Sequence, residues 1–464
     1  MQSVKLPERE GDDLCLMGAE SLASAYRRKD LSPVEVAAAC LRRAEETNPA
    51  LNAFTFIDHE GALRAARQSE ERWLRGEPLS ESDGAPTTLK DIVWVRDWVV
   101  RYGSAVTSAK PYEQDAPSVT RLRDAGAVFI AQTTTPEFGW KAVTDSKACG
   151  VTRNPYDPTK TSGGSSGGAA VAAAVGAGVF HLGTDGGGSI RIPSAFCGVT
   201  GLKPTFSRVP AYPASAFGTV AHIGPMTRTA SDALAMLEVM SGRDLRDWSQ
   251  GVGQLPEIER RPIALKGLRI GYWTKPPAGQ LDLEVGAIVD KTVELLVELG
   301  AVVEPFDLPS VDLLDLFHHH WFTGAAARLA LIPEGERRDI DPGFLDIAEQ
   351  GARMDARALV AAQVRRAEFG ALMDQALEKF DFILSPGVTV PAFDAGLEVP
   401  AGSGLSRWTE WASFSFPINL TQQPAAVTPI GLTSAGLPVA LQVVGARGAD
   451  AAVLSFLSAL EEVR

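Results

Sequence analysis

Two observations place this chain in the α/β class, with a central sheet layered by helices. Short runs that are apolar throughout, such as Ala127-Val128-Phe129-Ile130-Ala131, have the pattern of strands buried on both faces. Segments of helical periodicity precede them: residues 118–125 before that run, 285–299 before Gly300-Ala301-Val302-Val303, and 367–380 before Phe382-Ile383-Leu384.

Taken in order, residues 18–30 have helical spacing, and Ser32-Pro33-Val34-Glu35 opens a second helix. It has a serine cap, proline at the first helical position and glutamate three residues after the cap. Val36, Ala39, Leu41 and Ala44 continue that helix. Gly84-Ala85-Pro86-Thr87-Thr88-Leu89 reads as a turn leading into an apolar strand, which buries Lys90. In 118–125, Ser118 serves as the cap and Gly126 follows the end. Residues 169–180 are apolar but too short to span a bilayer, and read as a tightly packed internal helix. The polar, proline-containing stretch 249–262 reads as a surface connection, and 340–345 and 396–407 as loops.

The chain has 464 residues, 45% of them hydrophobic, which is ordinary globular composition with ample length for a large core. Length alone would allow about three domains, but no repeat or low-complexity tract divides the chain. The stretch 249–262 lies outside the candidate catalytic segments, so it is read as a connection within one domain, 1–464. A net charge of −13 disfavours nonspecific binding to nucleic acid or to an anionic membrane. Cys15, Cys40, Cys149 and Cys197 form no Cys-x-x-Cys pair. Free thiols in a reducing cytosol are expected, with neither a zinc site nor a disulfide framework. The first thirteen residues lack the apolar run of a secretory signal, so a cytoplasmic location is expected.

The chemistry concentrates in two glycine–serine clusters, Gly163-Gly164-Ser165-Ser166-Gly167-Gly168 and Gly186-Gly187-Gly188-Ser189, with Lys90 upstream in Thr88-Leu89-Lys90-Asp91. Glycine lets backbone N–H groups approach a reacting oxygen closely. A serine beside such donors, with a base in reach, is suited to nucleophilic acyl chemistry. A phosphate loop would need a following Lys-Ser/Thr, and Gly176-Ala177-Gly178 lacks the third glycine of a dinucleotide fingerprint. Gly163-Gly164-Ser165-Ser166-Gly167 also fits Gly-x-Ser-x-Gly, the nucleophile elbow of α/β-hydrolase esterases with a Ser-His-Asp triad. That mechanism needs a downstream acid and then a histidine. The histidines are His59, His181, His222 and the run His318-His319-His320, and none follows residue 320. A neutral lysine can replace the histidine, since burial lowers a lysine pKa by up to about 3–5 units. An exposed Lys90 would instead form an ion pair with Asp91.

With these residues in view, the sequence resembles the amidase signature family. The resemblance rests on the cluster at 163–168 and on Gly183-Thr184-Asp185-Gly186-Gly187-Gly188-Ser189-Ile190-Arg191. It continues through Pro193-Ser194-Ala195-Phe196-Cys197-Gly198 and Gly201-Leu202-Lys203-Pro204-Thr205. Outward it takes in Leu89-Lys90-Asp91, Gly224-Pro225-Met226 and Gln442-Val443-Val444-Gly445. Effectively the whole chain is covered, most specifically 84–230.

The resemblance implies a single α/β/α domain with a large twisted mixed sheet, and a Ser–cis-Ser–Lys amidase that needs no cofactor or metal. By position, Ser189 is the nucleophile, Ser165 the bridging serine after a cis peptide, and Lys90 the base. Backbone N–H groups of Gly186, Gly187, Gly188 and Ser189 match the oxyanion hole. Ser166, Asp185 and Arg191 match supporting residues. Gly186 stands where relatives often carry a bulkier residue, which should loosen the loop.

The implied substrate is a small carboxylic amide, cleaved to an acid and ammonia or an amine, with neither nucleic acid nor membrane as partner and a homodimer as one assembly. The alternative within the family is the glutamine-hydrolysing component of a tRNA-dependent amidotransferase. Against it, Ile192-Pro193 follows Arg191, and His222-Ile223-Gly224-Pro225 stands where a different pattern is expected. Phe138, Trp140, Trp321 and Trp408, with Phe322 and Trp411, are candidates for an apolar acyl or aryl pocket, and equally for core packing.

Overall fold

A computed structural model describes residues 13–250 and 257–464. Residues 1–12, read above for a targeting signal, and 251–256 of the expected connection at 249–262 lie outside the described residues.

The chain begins its sheet with β1 (Phe54–Ile57), β2 (Pro86–Lys90) and β3 (Val128–Thr133). A small hairpin of β4 (Asp145–Ser146) and β5 (Gly150–Val151) follows. Then come β6 (Phe180–Asp185), β7 (Thr200–Lys203), β8 (His222–Thr227), β9 (Arg269–Tyr272) and β10 (Val302–Pro305). The last three are β11 (Phe382–Pro386), β12 (Ala425–Leu432) and β13 (Pro438–Val444). Apart from the hairpin they form one mixed sheet in the order β1-β3-β2-β6-β8-β7-β12-β13-β11-β9-β10.

Helices cover both faces, and the pleat shows it. Along β11, Phe382 and Leu384 enter one apolar cluster, with the helices Pro33–Leu51, Ala230–Met240 and Asp450–Glu462. Ile383 enters the other, with the helices Leu313–Leu329 and Pro342–Ala352. Alternate side chains of one strand thus feed two cores, which is why such strands are apolar throughout. No helix among the described residues is long and apolar enough to cross a membrane.

Parallel pairing places the functional ends together. β2 lies between β3 and β6, parallel to both, with Lys90 opposite Thr133 and Leu89 opposite Leu182. Lys90 and Asp185 therefore both emerge at the carboxyl edge of the sheet, the side on which open α/β sheets bind ligands.

The expected local elements are largely present. Ser32 and Glu35 form the capping box of Pro33–Leu51. The helix–strand alternation at 118–131, 285–303 and 367–384 is realised, with Leu283–Glu298 before β10 and Ala356–Ala376 before β11. Four details differ. Ser118 lies inside the helix Pro117–Asp124, whose cap is Ala116, because Pro117 takes the first helical position with its φ already set. The expected turn at 84–89 gives way at Pro86 to β2, which ends at Lys90, since Thr87 and Thr88 are β-branched and join the ladder. Residues 169–180 divide into a helix, Gly167–Val175, a left-handed Gly176 and the start of β6. Residues 342–345 are helical, not loop: Asp341 caps Pro342–Ala352 by accepting from the Gly343 N–H at 2.8 Å.

Candidate active site

Lys90 is fully buried at the end of β2, and its side-chain nitrogen faces three hydroxyls. Nζ lies 2.7 Å from Ser165 Oγ, 2.8 Å from Thr184 Oγ1 and 2.9 Å from Ser166 Oγ. Ser166 donates its own proton to the Thr184 carbonyl at 3.1 Å, so toward Lys90 it is an acceptor. Ser165 is a hydroxyl free to turn its proton toward the lysine. Burial holds the Lys90 pKa well below the ordinary lysine value, with the Asp185 charge opposing. Asp91 does not pair with Lys90. It accepts from the N–H groups of Arg101 (2.6 Å) and Gly103 (3.1 Å), and burial pushes its pKa up to about 6.

Ser165 precedes the helix Gly167–Val175, and the Gly164–Ser165 peptide is cis. Gly164 packs on the Val143 backbone, where a Cβ would stand 2.6 Å from the carbonyl carbon; only glycine fits. The second cluster is threaded against the first, with the Ser166 N–H donating to the Ser189 carbonyl at 3.0 Å. Among the described residues no direct hydrogen bond joins Ser165 Oγ to Ser189 Oγ.

Asp185 and Arg191 organise the loop between them, both fully buried. Arg191 grips Asp185 with Nε and Nη2, each at 3.0 Å. The same carboxylate accepts from the N–H groups of Gly188 (2.7 Å) and Ile190 (3.2 Å). Burial opposes ionisation, but Arg191 and Asn419 outweigh it and hold the Asp185 pKa far below the usual carboxylate range. Arg191 is completed by the Ser415 carbonyl (2.9 Å), Gln442 (2.8 Å) and Asn419 (2.6 Å).

Gly188 therefore differs from the expectation that it offers a donor to an oxyanion: its N–H is already engaged by Asp185. Its contribution is conformational, at φ +121, a region L side chains rarely adopt. Among the described residues, no protein acceptor takes the N–H groups of Gly186, Gly187 or Ser189. Gly186 also departs from expectation. The space its missing side chain leaves is filled by Trp321, whose indole a Cβ would meet at 2.9 Å, so the loop is packed rather than loosened.

A cavity of about 980 Å³ opens onto Ser165 and Ser189. Phe138 and Trp321 line it, joined by Tyr102, Phe217 and Val209. Trp140 and Trp408 do not line it. Trp408 stands behind Gly187, and Trp140 packs against Gly343 beside the Lys141 ammonium. Phe322 and Trp411 are likewise core residues.

His222 reaches the cavity, but its Nδ1 lies 2.8 Å from the Val220 carbonyl and its Nε2 3.4 Å from Lys203. His181 meets Thr88, His59 meets Glu45, and the run 318–320 sits on the helix Leu313–Leu329. No histidine among the described residues bonds to Ser165 or Ser189, so the geometry gives the Ser-His-Asp alternative no support. Thr184 and Gln442 lie in motifs that carry the family resemblance but have no role assigned from sequence, and Asn419 is not singled out there. A buried amide inside the apolar helix Phe416–Thr421 is the signal that points to Asn419.

The family model described as Amidase matches residues 35–454. An acylamidase from Rhodococcus erythropolis is 32% identical over 456 residues, covering 97% of this chain and 95% of its own length. The A-type component of glutamyl-tRNA(Gln) amidotransferase from Chloroflexus aurantiacus (strain ATCC 29366 / DSM 635 / J-10-fl) is 33% identical over 450 residues, 91% of each chain. The crystal structure of a bacterial aryl acylamidase of the amidase signature family matches with a TM-score of 0.88 at 26% identity, covering 96% of both chains. The chain belongs to the amidase family, and is an amidase-signature hydrolase of non-peptide carbon–nitrogen bonds.

Proposed function

We propose that this amidase works through Ser189 as nucleophile, Ser165 as proton bridge and Lys90 as base, on small amides with an apolar acyl or aryl body. The contact that carries this reading is Lys90 Nζ to Ser165 Oγ at 2.7 Å, made by a lysine with no carboxylate in contact among the described residues. Neutral Lys90 donates to Ser166 and Thr184 and accepts the Ser165 proton. Ser165 in turn takes the proton of Ser189 as that oxygen attacks the amide carbonyl. Rotation of Ser189 about Cα–Cβ closes the serine-to-serine link when substrate seats, since catalytic hydrogen bonds tighten in the productive complex.

The tetrahedral oxyanion is met by N–H groups of Gly186, Gly187 and Ser189, each worth about 3 kcal/mol in comparable sites. Asp185 and Arg191 hold that loop, and Ser166 holds the lysine. The relay then reverses, protonating the leaving nitrogen, and water cleaves the acyl-enzyme. We further propose that residues 1–464 act as one domain in the cytoplasm; four cysteines without a disulfide support a reducing compartment.

A second reading, glutamine hydrolysis within a tRNA-dependent amidotransferase, is favoured by relatives such as that of Chloroflexus aurantiacus. The aromatic wall of the cavity supports the first. Purified chain, with no partner added, should hydrolyse simple anilides and leave glutamine intact; glutaminase activity that appears only with added partner proteins would select the second.

A further inference from the structure

Among the described residues, most charged side chains lining the cavity have a partner. Asp185 is paired with Arg191 and Arg246 with Asp244. Asp247 accepts from Ala211 and Ser249, and Glu336 stands exposed. Arg328 lines the same cavity, half-buried, with no carboxylate in ion-pair distance among the described residues.

What holds Arg328 is aromatic. Its guanidinium carbon lies 4.6 Å from the centre of the Phe138 ring and 5.0 Å from that of Tyr102. Ring faces fix a guanidinium in place yet leave its edge N–H donors free for a planar anion. Both rings stand on backbone that bulky residues rarely adopt, φ +57 at Tyr102 and φ +52 at Phe138. They are tied together by the Phe138 N–H donating to the Tyr102 carbonyl at 2.7 Å. Asp91 fixes the N–H groups on either side of Tyr102, and Trp94 donates to the Tyr102 hydroxyl at 2.6 Å. Strain of this kind persists where the surroundings enforce it, and collects at ligand sites.

The same turn reaches Ser165. A Cβ on Gly139 would stand 3.2 Å from Ser165 Oγ, so Phe138-Gly139 runs from the reacting centre toward Arg328. A substrate body lying along Phe138 brings its far end to the guanidinium.

Resting on the amidase reading, we propose that this site selects amides carrying a carboxylate remote from the scissile bond, and that Arg328 binds that carboxylate through its N–H edge. A guanidinium in a largely apolar cavity gains most from a bidentate carboxylate.

The test uses purified full-length chain and anilides matched in length: succinyl against butyryl, glutaryl against pentanoyl, and adipoyl against hexanoyl. For the amine side, N-acetyl-4-aminobenzoate is set against N-acetyl-4-toluidine. In at least one pair the wild type should prefer the carboxylate member by kcat/KM. Arg328→Met should cut that preference about 10- to 100-fold, the equivalent of one charge-assisted contact, mainly through KM. Arg328→Lys should keep part of it. Preference for the neutral member in every pair, or an equal loss on both members in Arg328→Met, overturns the proposal and leaves the amidase reading standing. If no anilide is cleaved, the proposed aryl-amide substrate class fails separately. Calorimetric binding of the same pairs to Ser189→Ala, with and without Arg328→Met, then gives the carboxylate preference independently of turnover.

Discussion

Gly186 and Trp321 are fitted to one another: a Cβ on residue 186 would stand 2.9 Å from the indole ring. The ring cannot retreat. Phe217 stacks on one side at 3.8 Å between centroids, and Phe317 and Trp408 lie at 5.3 and 5.7 Å. Gly186→Ala should therefore displace the loop that carries Ser189. An overpacking cost of about 1–3 kcal/mol corresponds to a loss of about 5- to 150-fold if it falls on the transition state. Trp321→Phe returns the space, so the double variant should outperform Gly186→Ala alone in kcat, measured by steady-state kinetics. A double variant worse than either single one would show that the two residues act independently.

Ser189→Ala should abolish both turnover and labelling by a fluorophosphonate. Ser165→Ala should remain folded and severely slowed, by about 10³-fold or more, because it removes a proton path and not the covalent bond. Peptide mass spectrometry of the labelled wild type locates the adduct. Ser189 is the expected position, and an adduct on Ser165 would return the nucleophile-elbow assignment.

Replacing Asp185 by Asn leaves the Arg191 guanidinium buried against a neutral group. Breaking one side of a buried ion pair costs about 3–5 kcal/mol. Urea unfolding should show a loss of that size along with lost activity, since the carboxylate also holds the Gly188 and Ile190 N–H groups. Unchanged stability would mean that the 185–191 loop is held by other contacts.

Much of this architecture is legible in the chain because its causes are local. The capping box at Ser32 and Glu35, the apolar strands and the glycine clusters each announce a backbone requirement. What is not legible depends on distant partners. Asn419 and Gln442 meet Arg191 across separations of 228 and 251 residues, and no periodicity links them. Thr184 reads as an ordinary β-former until β6 is laid beside β2 and its hydroxyl reaches Lys90. The aromatic wall is half legible for a similar reason. Trp321 and Trp408 are equally apolar in sequence, and only the packing puts one on the cavity and the other behind Gly187.

The central claim is that Lys90 acts as a neutral base, and the pH dependence of kcat/KM in wild type and Lys90→Arg tests it most directly. Burial depresses the Lys90 pKa, so the active, unprotonated fraction grows as pH rises through that lowered value. The wild type should gain activity from the acid side, with the limb well below the ordinary lysine value of about 10.4. Guanidinium keeps the charge and the donors but cannot give up its proton near neutrality, so Lys90→Arg should lose on the order of 10³-fold or more and lose the acid limb with it. A folded Lys90→Arg enzyme with near-normal kcat and an unaltered pH profile would contradict the account.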